Sequence, residues 1–494
     1  MIALYFGQMV ARWRHRRRWS VLDLARRAGL TRGQVTAIES GSLPLRLPEV
    51  NQVSTALQVS PLQLLSPEPD TPPVPSLVTV LKLGGSWDMV SSAQGLLGQG
   101  PLDEAGLLAL EQSVGNDETQ LALTLARKFA ETAALTTNLS THLSWVPDLA
   151  ELAKGMFVPL FSGDSSHFRP SFYAAILEHV FRLLRDDPKR QLVIGTGTDT
   201  IDALLSFLDC FSFDLNAQPI IVTGANYSFR EPHSDAPQNF RDAVLATHLP
   251  LPPGAFFIFG STIFRGGDVT KLDPRERPQT VEGIDTFFAP FRSHLTLDVF
   301  GQSIPRQQAG PEAATQPTLQ SDAQTAVRAA AVPVWGRRGP DLSKLHSPPD
   351  WTAGQLFETM KQIVTIDLIS NNPLEEELRR LGDSRYQAMI IRSHALGNVS
   401  NPIRQAAMEA AKQGKLVVAI SRCLVGEVSD RYYVSLVNLN HRELRSTQWR
   451  ILNGDKLNSA SAKALLTRAV LEGRDQQETQ ALIDAYVEHL EIAN

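Results

Sequence analysis

QLVIGTGTDTIDALLSFL, residues 191–208, passes from a short apolar run through a Gly/Thr/Asp turn into apolar residues at helical spacing. A strand of this kind, apolar on both faces and delivered by a tight turn into a helix, belongs to a buried parallel sheet flanked by helices. The same alternation continues on either side: LVTVLKL (77–83) and AILEHVFRLL (175–184) precede it, and PIIVTGA (219–225) and FFIFGSTIF (256–264) follow. It resumes further on with IVTIDLI (363–369), AMIIRS (388–393), NPIRQAAMEAAKQG (401–414) and LVVAISRC (416–423). These runs predict an α/β body of two lobes with mainly parallel sheets, whose functional residues gather at the C-terminal ends of the strands.

Two polar stretches divide the chain. Residues 66–76 carry Pro67, Pro69, Pro72, Pro73 and Pro75 with almost nothing able to pack, which predicts an extended linker. A second polar, Pro-containing stretch from about residue 301 to 349 has no apolar period. The expected domains are therefore a head (1–65), a linker (66–76), a first lobe (77–300), an inter-lobe linker or insertion (301–360) and a second lobe (361–494).

The formal net charge of −5 hides an asymmetry. Arg12, Arg14, Arg16, Arg17, Arg18, Arg26, Arg27, Arg32 and Arg46 face only Asp23, Glu39 and Glu49 in residues 1–60, so the head stands near +6 and the rest near −11. A basic head on an acidic body is the footprint of a domain that meets a polyanion, and double-stranded DNA is the partner expected once the helix-turn-helix of residues 22–40 is taken with it. The composition excludes global disorder, and no apolar run is long enough for a membrane span. Cys210 and Cys423 support neither a disulfide framework nor a thiolate metal site, and the histidines lack ligand spacing. We expect a cytoplasmic protein with no metal and no cofactor.

In the head, LDLARRA (22–28) has helical apolar spacing, Gly29 supplies a left-handed stop, and Thr31 N-caps RGQVTAIES (32–40). This is a helix-turn-helix, with Leu24, Ala25, Ala28, Leu30, Val35 and Ile38 inward and Arg32, Gln34 and Thr36 outward. Residues 5–65 resemble the Cro/phage-repressor helix-turn-helix family, with LPEVNQVSTALQVSPLQLL (47–65) as its fourth and fifth helices. The resemblance implies that Arg32, Gly33 and Ala37 face base edges and that Ser20 lies where a helix meets phosphate. Arg32 suits guanine, whereas Gly33 reads no base. Glu39 is expected to serve as a structural partner.

In the body, LKLGGSWDM (81–89) presents Ser86 after two glycines, GTGTDT (195–200) sets Thr198 beside Asp199, and RGGDVTK (265–271) ends in Lys271. A hydroxyl beside a carboxylate, with a lysine able to take or share a proton, suits nucleophilic attack on a polar substrate. With TGANYSFREPHSDAPQNFRDAV (223–244) and SHALGN (393–398), these segments resemble bacterial asparaginases over roughly residues 77–300 and 361–470. The resemblance implies hydrolysis of L-asparagine or a related amide. It implies that Ser86 is the nucleophile, that Thr198, Asp199 and Lys271 form the second catalytic group, and that Ser165, Ser166, Asp199 and Asn398 bind substrate. It also implies a homo-oligomer, dimer or tetramer, with sites built between subunits. Departures are visible: LGGSW stands for TGGTI, TGTDT for HGTDT, His167 for an acid, and no tyrosine lies between Trp87 and Asp148, where the family keeps one on a mobile loop. Those departures leave a second expectation, a transcription regulator whose body senses an amide without useful turnover.

Overall fold

The computed structural model describes residues 2–40, 47–57, 59, 64, 76–84, 102–133, 137–138, 153–227, 234–247, 251–260, 262–271, 288–290, 350–368, 374–394, 396–422, 428–429 and 435–492. Three helices open the head: α1 (Ile2–Arg16), α2 (Val21–Ala28) and α3 (Arg32–Glu39). A fourth, α4 (Leu47–Leu57), completes its core. Reciprocal capping boxes start α2, through Ser20 and Asp23, and α3, through Thr31 and Gln34, satisfying N–H groups that a helix leaves unpaired. Gly29 ends α2 at φ 68°, in the left-handed region. Phe6, Val10, Leu24, Val35, Ile38, Val50, Val53 and Leu57 are buried, a core built from all four helices. Of the rest of the 47–65 segment expected to hold the fourth and fifth helices, only Val59 and Leu64 lie among the described residues beyond α4.

The first sheet of the body contains β1 (Ser76–Leu83), β2 (Leu102–Asp103), β3 (Thr137–Asn138), β4 (Ala153–Ser162), β5 (Gln191–Thr196), β6 (Ile220–Thr223), β7 (Ala255–Phe259) and β8 (Thr262–Arg265). Their order is β2-β4-β1-β5-β6-β7-β8, with β3 beside β4. All pairings are parallel except β7 with β8 and β3 with β4. Side chains alternate as a strand requires: Leu192 and Ile194 point into one core and Val193 into another. Helices α5 (Glu104–Val114), α6 (Glu118–Ala133), α7 (Pro170–Asp186) and α8 (Ile201–Ser212) contribute to the first core, and α9 (Ala236–Ala246) to the second. A short antiparallel pair follows, β9 (Val269–Lys271) with β10 (Phe288–Pro290).

The second lobe begins with α10 (Ala353–Lys361) and has the wholly parallel sheet β11 (Ile363–Asp367), β12 (Ala388–Ser393), β13 (Leu416–Ser421) and β14 (Leu452–Asn453), in that order. On one side of this sheet pack α11 (Leu374–Gly382) and α12 (Asn401–Lys412). The other side shares the first lobe's core through α13 (Ser459–Leu471) and α14 (Gln476–Ile492). The α/β class, with parallel sheets and a helical head, is as the sequence pattern predicts.

One expectation needs correction. Residues 350–360, included with the compositional break in the expected inter-lobe linker or insertion, pack as structure rather than linker. Trp351 sits edge-on to Phe181 and Phe211 at 5.8 and 5.7 Å, the Ala353 N–H donates to the Glu178 carboxylate, and Thr352 caps α10. Nine residues of helix, preceded by SPPD and opening on the Gly-containing TAG, give too short a periodic window to stand out from a polar linker. Residues 66–75 and 301–349 lie outside the described residues.

Candidate active site and nucleic-acid interface

Among the described residues of the head, caps and the Arg14–Glu39 ion pair set the position of α3. Arg14 on α1 reaches across to Glu39 at the end of α3, Nε–Oε1 2.5 Å and Nη2–Oε2 2.8 Å, and donates Nη1–H to the Trp19 carbonyl at 2.8 Å. The hydrogen bond from Arg14 to Glu39 raises the arginine's pKa above its ordinary value. This bidentate bond fixes the helix that carries Arg32. Arg32 and Thr36 are exposed on α3, Ala37 is half-buried, and Thr36 Oγ1 donates to the Arg32 carbonyl at 3.0 Å. The Gln34 side-chain carbonyl accepts from the Thr31 N–H at 2.8 Å, which commits its oxygen to the cap and leaves its NH2 group to act as a donor. Ser20 Oγ is engaged by Asp23 at 2.7 Å, and this bond lowers the Asp23 pKa. Beside α2, Arg27 lies 4.4 Å from the Trp19 ring and Arg16 5.1 Å from the Trp13 ring, so part of the basic surplus is held over indoles.

The body gathers its candidate residues at the C-terminal edge of the first sheet. In register, Leu83 at the end of β1 lies beside Phe161 of β4 and Thr196 of β5. Gly84 then turns at φ 75°, and a Cβ there would stand 2.3 Å from the Gly163 carbonyl, so the turn into the first motif requires glycine. Ser86 itself lies outside the described residues. Past β4, Asp164 caps a single 3-10 turn, 165–167, by accepting the Ser166 N–H at 2.8 Å; Ser165 is buried and Ser166 exposed. Past β5, Thr198 is half-buried and Asp199 exposed. The two turns are tied together, because Thr200 Oγ1 donates to the Ser165 carbonyl at 3.4 Å and Tyr173 Oη to the Thr200 carbonyl at 3.5 Å. Burial pushes the Tyr173 phenol up to about 12, so it braces the turn as a neutral donor.

The structure therefore brings Ser165, Ser166, Thr198 and Asp199 to one edge. Lys271 ends β9, just after the turn 266–268. Asn398 stands in the second lobe beyond β12, half-buried, its N–H donating to the His394 carbonyl at 2.8 Å. Its side-chain oxygen is buried with no hydrogen-bond partner among the described residues, an acceptor open to a donor from outside them.

Two residues, Asp202 and Lys82, escape a reading of the sequence, and a third, Thr196, stands there only as the departure from HGTDT. Thr196 closes β5 fully buried, its hydroxyl without a partner among the described residues. Asp202, on the first turn of α8, is raised in pKa chiefly by burial. Lys82 is 1% exposed inside β1, its Nζ 3.4 Å from Ser162 Oγ. A signal for Lys82 exists in the sequence: a charge inside an otherwise apolar run of strand length needs a buried partner.

Family models match three segments: "Helix-turn-helix domain" over residues 6–65, "Asparaginase, N-terminal" over 124–286 and "Glutaminase/Asparaginase C-terminal domain" over 373–483. The chain is a helix-turn-helix domain fused to an asparaginase-like body. The asparaginase segments include Ser165, Ser166, Thr198, Asp199, Lys271 and Asn398, and start beyond Ser86. Among curated relatives, a glutamyl-tRNA(Gln) amidotransferase component of Sulfurisphaera tokodaii is 31% identical over 156 residues, 30% of this chain and 34% of that protein. The corresponding protein of Metallosphaera sedula is 24% identical over 313 residues, 61% of each chain. The chain thus spans between about a third and three fifths of the length of these two amidotransferase relatives. L-asparaginase 1 of Escherichia coli K12 is 24% identical over 301 residues, 60% of this chain and 73% of that protein. The crystal structure of L-asparaginase I from Vibrio cholerae aligns over 83% of this chain and 97% of its own at 17% identity and a TM-score of 0.48.

Proposed function

We propose that the asparaginase-like body hydrolyses L-asparagine or a related side-chain amide to the acid and ammonia, and that the head attaches this activity to double-stranded DNA. The observation that carries the reading is the joining of the Ser165 and Thr198 turns at one sheet edge, through Thr200 and Tyr173, beside the glycine turn that leads to Ser86. Ser86 Oγ attacks the amide carbonyl and gives up its proton, the C–N bond breaks, and the nitrogen leaves as ammonia. Water then cleaves the acyl-serine to aspartate and restores the hydroxyl. Backbone N–H groups of the glycine turns stabilise the oxyanion, and Thr198, Asp199 and Lys271 pass the proton. Ser165, Ser166 and Asn398 hold the substrate, with Asp199 on its ammonium group. No cofactor enters this scheme. In the head, Arg32, Gln34, Thr36 and Ala37 meet base edges and Ser20 lies at the phosphate backbone. The protein works in the cytoplasm as a homo-oligomer, which supplies paired heads for half-sites.

Ammonia release from asparagine and glutamine tests the first half. Ser86→Ala and Lys271→Ala are each expected to lose roughly 10³-fold or more in kcat. Equal turnover in the wild type and both variants overturns the assignment. A second reading is favoured by the absent tyrosine between Trp87 and Asp148 and by a family match that begins at residue 124. In it, the body senses the amide and alters DNA affinity without turnover. Ligand-dependent change in DNA affinity with no ammonia from the wild type selects it.

A further inference from the structure

The candidate Lys271 follows a turn that both lobes hold. Gly267 in the turn 266–268 donates its N–H to Asp209 Oδ2 on α8 at 3.2 Å. Its carbonyl accepts from Ser461 Oγ at 2.6 Å and Asn458 Nδ2 at 3.0 Å, both at the start of α13. Asp209 is fully buried and is itself held: Oδ1 accepts the Ala255 N–H of β7 at 2.8 Å, Arg265 Nη2 lies 3.4 Å from Oδ1, and Tyr486 on α14 donates its hydroxyl to Oδ2 at 2.7 Å. Burial, with the Asp209 carboxylate beside it, raises the Tyr486 phenol well above its ordinary value, so it keeps the proton it donates. No side chain fits at residue 267, since a Cβ would lie 1.5 Å from Tyr486 Oη. Side chains from α8, α13 and α14 thus converge on one glycine, and β9 with Lys271 starts two residues beyond it.

We infer that Asp209, Tyr486, Asn458 and Ser461 form a positioning clamp through which the second lobe sets the course of the chain into Lys271. The inference rests on the amide-hydrolase reading for its catalytic consequence, and on geometry alone for the clamp. Stability by itself does not call for this arrangement. A buried carboxylate held by three hydrogen-bond donors and a neighbouring arginine costs more to desolvate than an apolar contact of the same volume, and a satisfied buried network of this kind fixes one geometry.

The full-length chain tests it with Tyr486→Phe and Ser461→Ala, each removing a single hydroxyl and leaving Asp209 its backbone donors. Amide hydrogen exchange in residues 262–271 is expected to speed up about tenfold in either variant, while residues 191–196 and 416–421 keep the wild-type rate. In the ammonia-release assay Tyr486→Phe is expected to lower kcat about tenfold with KM unchanged, and to cause no further loss of the residual turnover of Lys271→Ala. Unchanged exchange at 262–271, or a loss that multiplies with that of Lys271→Ala, overturns the clamp. A wild type that releases no ammonia overturns the proposed hydrolysis instead, and the exchange measurement still decides the clamp.

Discussion

His179 shows how a single residue can dictate a pH response. It is buried on α7, its Nδ1 accepts from Arg182 at 2.8 Å, and burial first, then the Arg182 charge, pushes its pKa down to about 3. His489 is lowered in the same direction, also chiefly by burial. A histidine with a depressed folded-state pKa takes up protons more readily when unfolded, so its contribution to stability is complete above about pH 6.5 and is lost as pH falls toward about 3. His179 adds a slope of up to ~1.4 kcal/mol per pH unit within that window. Denaturant unfolding at pH 7, 6 and 5 should show falling stability, with a shallower fall in His179→Gln. The Arg14–Glu39 pair makes the second prediction at this scale. Its side chains are 8% and 13% exposed, so water screens it only partly. Glu39→Gln should lower head stability by about 2–3 kcal/mol, somewhat under the ~3–5 kcal/mol of a fully buried broken pair, as read from loss of α1–α4 structure in thermal melts.

Among the elements, α10 is the one that composition conceals most. Its apolar residues Leu356, Phe357 and Met360, with Trp351 ahead of them, are buried against the first lobe's helices. Trp351→Ala should therefore cost about 3–5 kcal/mol of body stability, measured by denaturant midpoint; a change under ~1 kcal/mol would mean that the segment behaves as linker after all. The strands were legible because both faces of the parallel sheets are apolar. The stop of α2 and the cap of α3 were legible because Gly29 and Thr31 act over three or four residues, whereas the capping of α2 by Ser20 emerged only in the structure. Ser165 and Thr198 were recognisable as turn residues, but their joining through Thr200 and Tyr173 depends on which strands neighbour each other, and β4 and β5 flank β1 rather than one another.

Taken whole, the molecule sets a basic head against an acidic body, and its DNA affinity should be strongly salt-dependent. Raising salt from 50 to 200 mM is expected to weaken binding of the full chain to a duplex by about 10³-fold or more if six phosphates are neutralised, and Arg32→Ala should lower affinity for the preferred site more than for random duplex. A flat salt profile would count against phosphate contact by the head. The sequence by itself determined the helix-turn-helix, the α/β class and the order of the domains, because capping, turn chemistry and apolar periodicity are local properties. Only the tertiary structure decided that the two lobes share one core, that Trp351, Leu356, Phe357 and Met360 belong to it, and that Asp209, Tyr486, Asn458 and Ser461 meet at Gly267. Such contacts join residues as far apart as 277 positions, and no local preference encodes a partner at that distance.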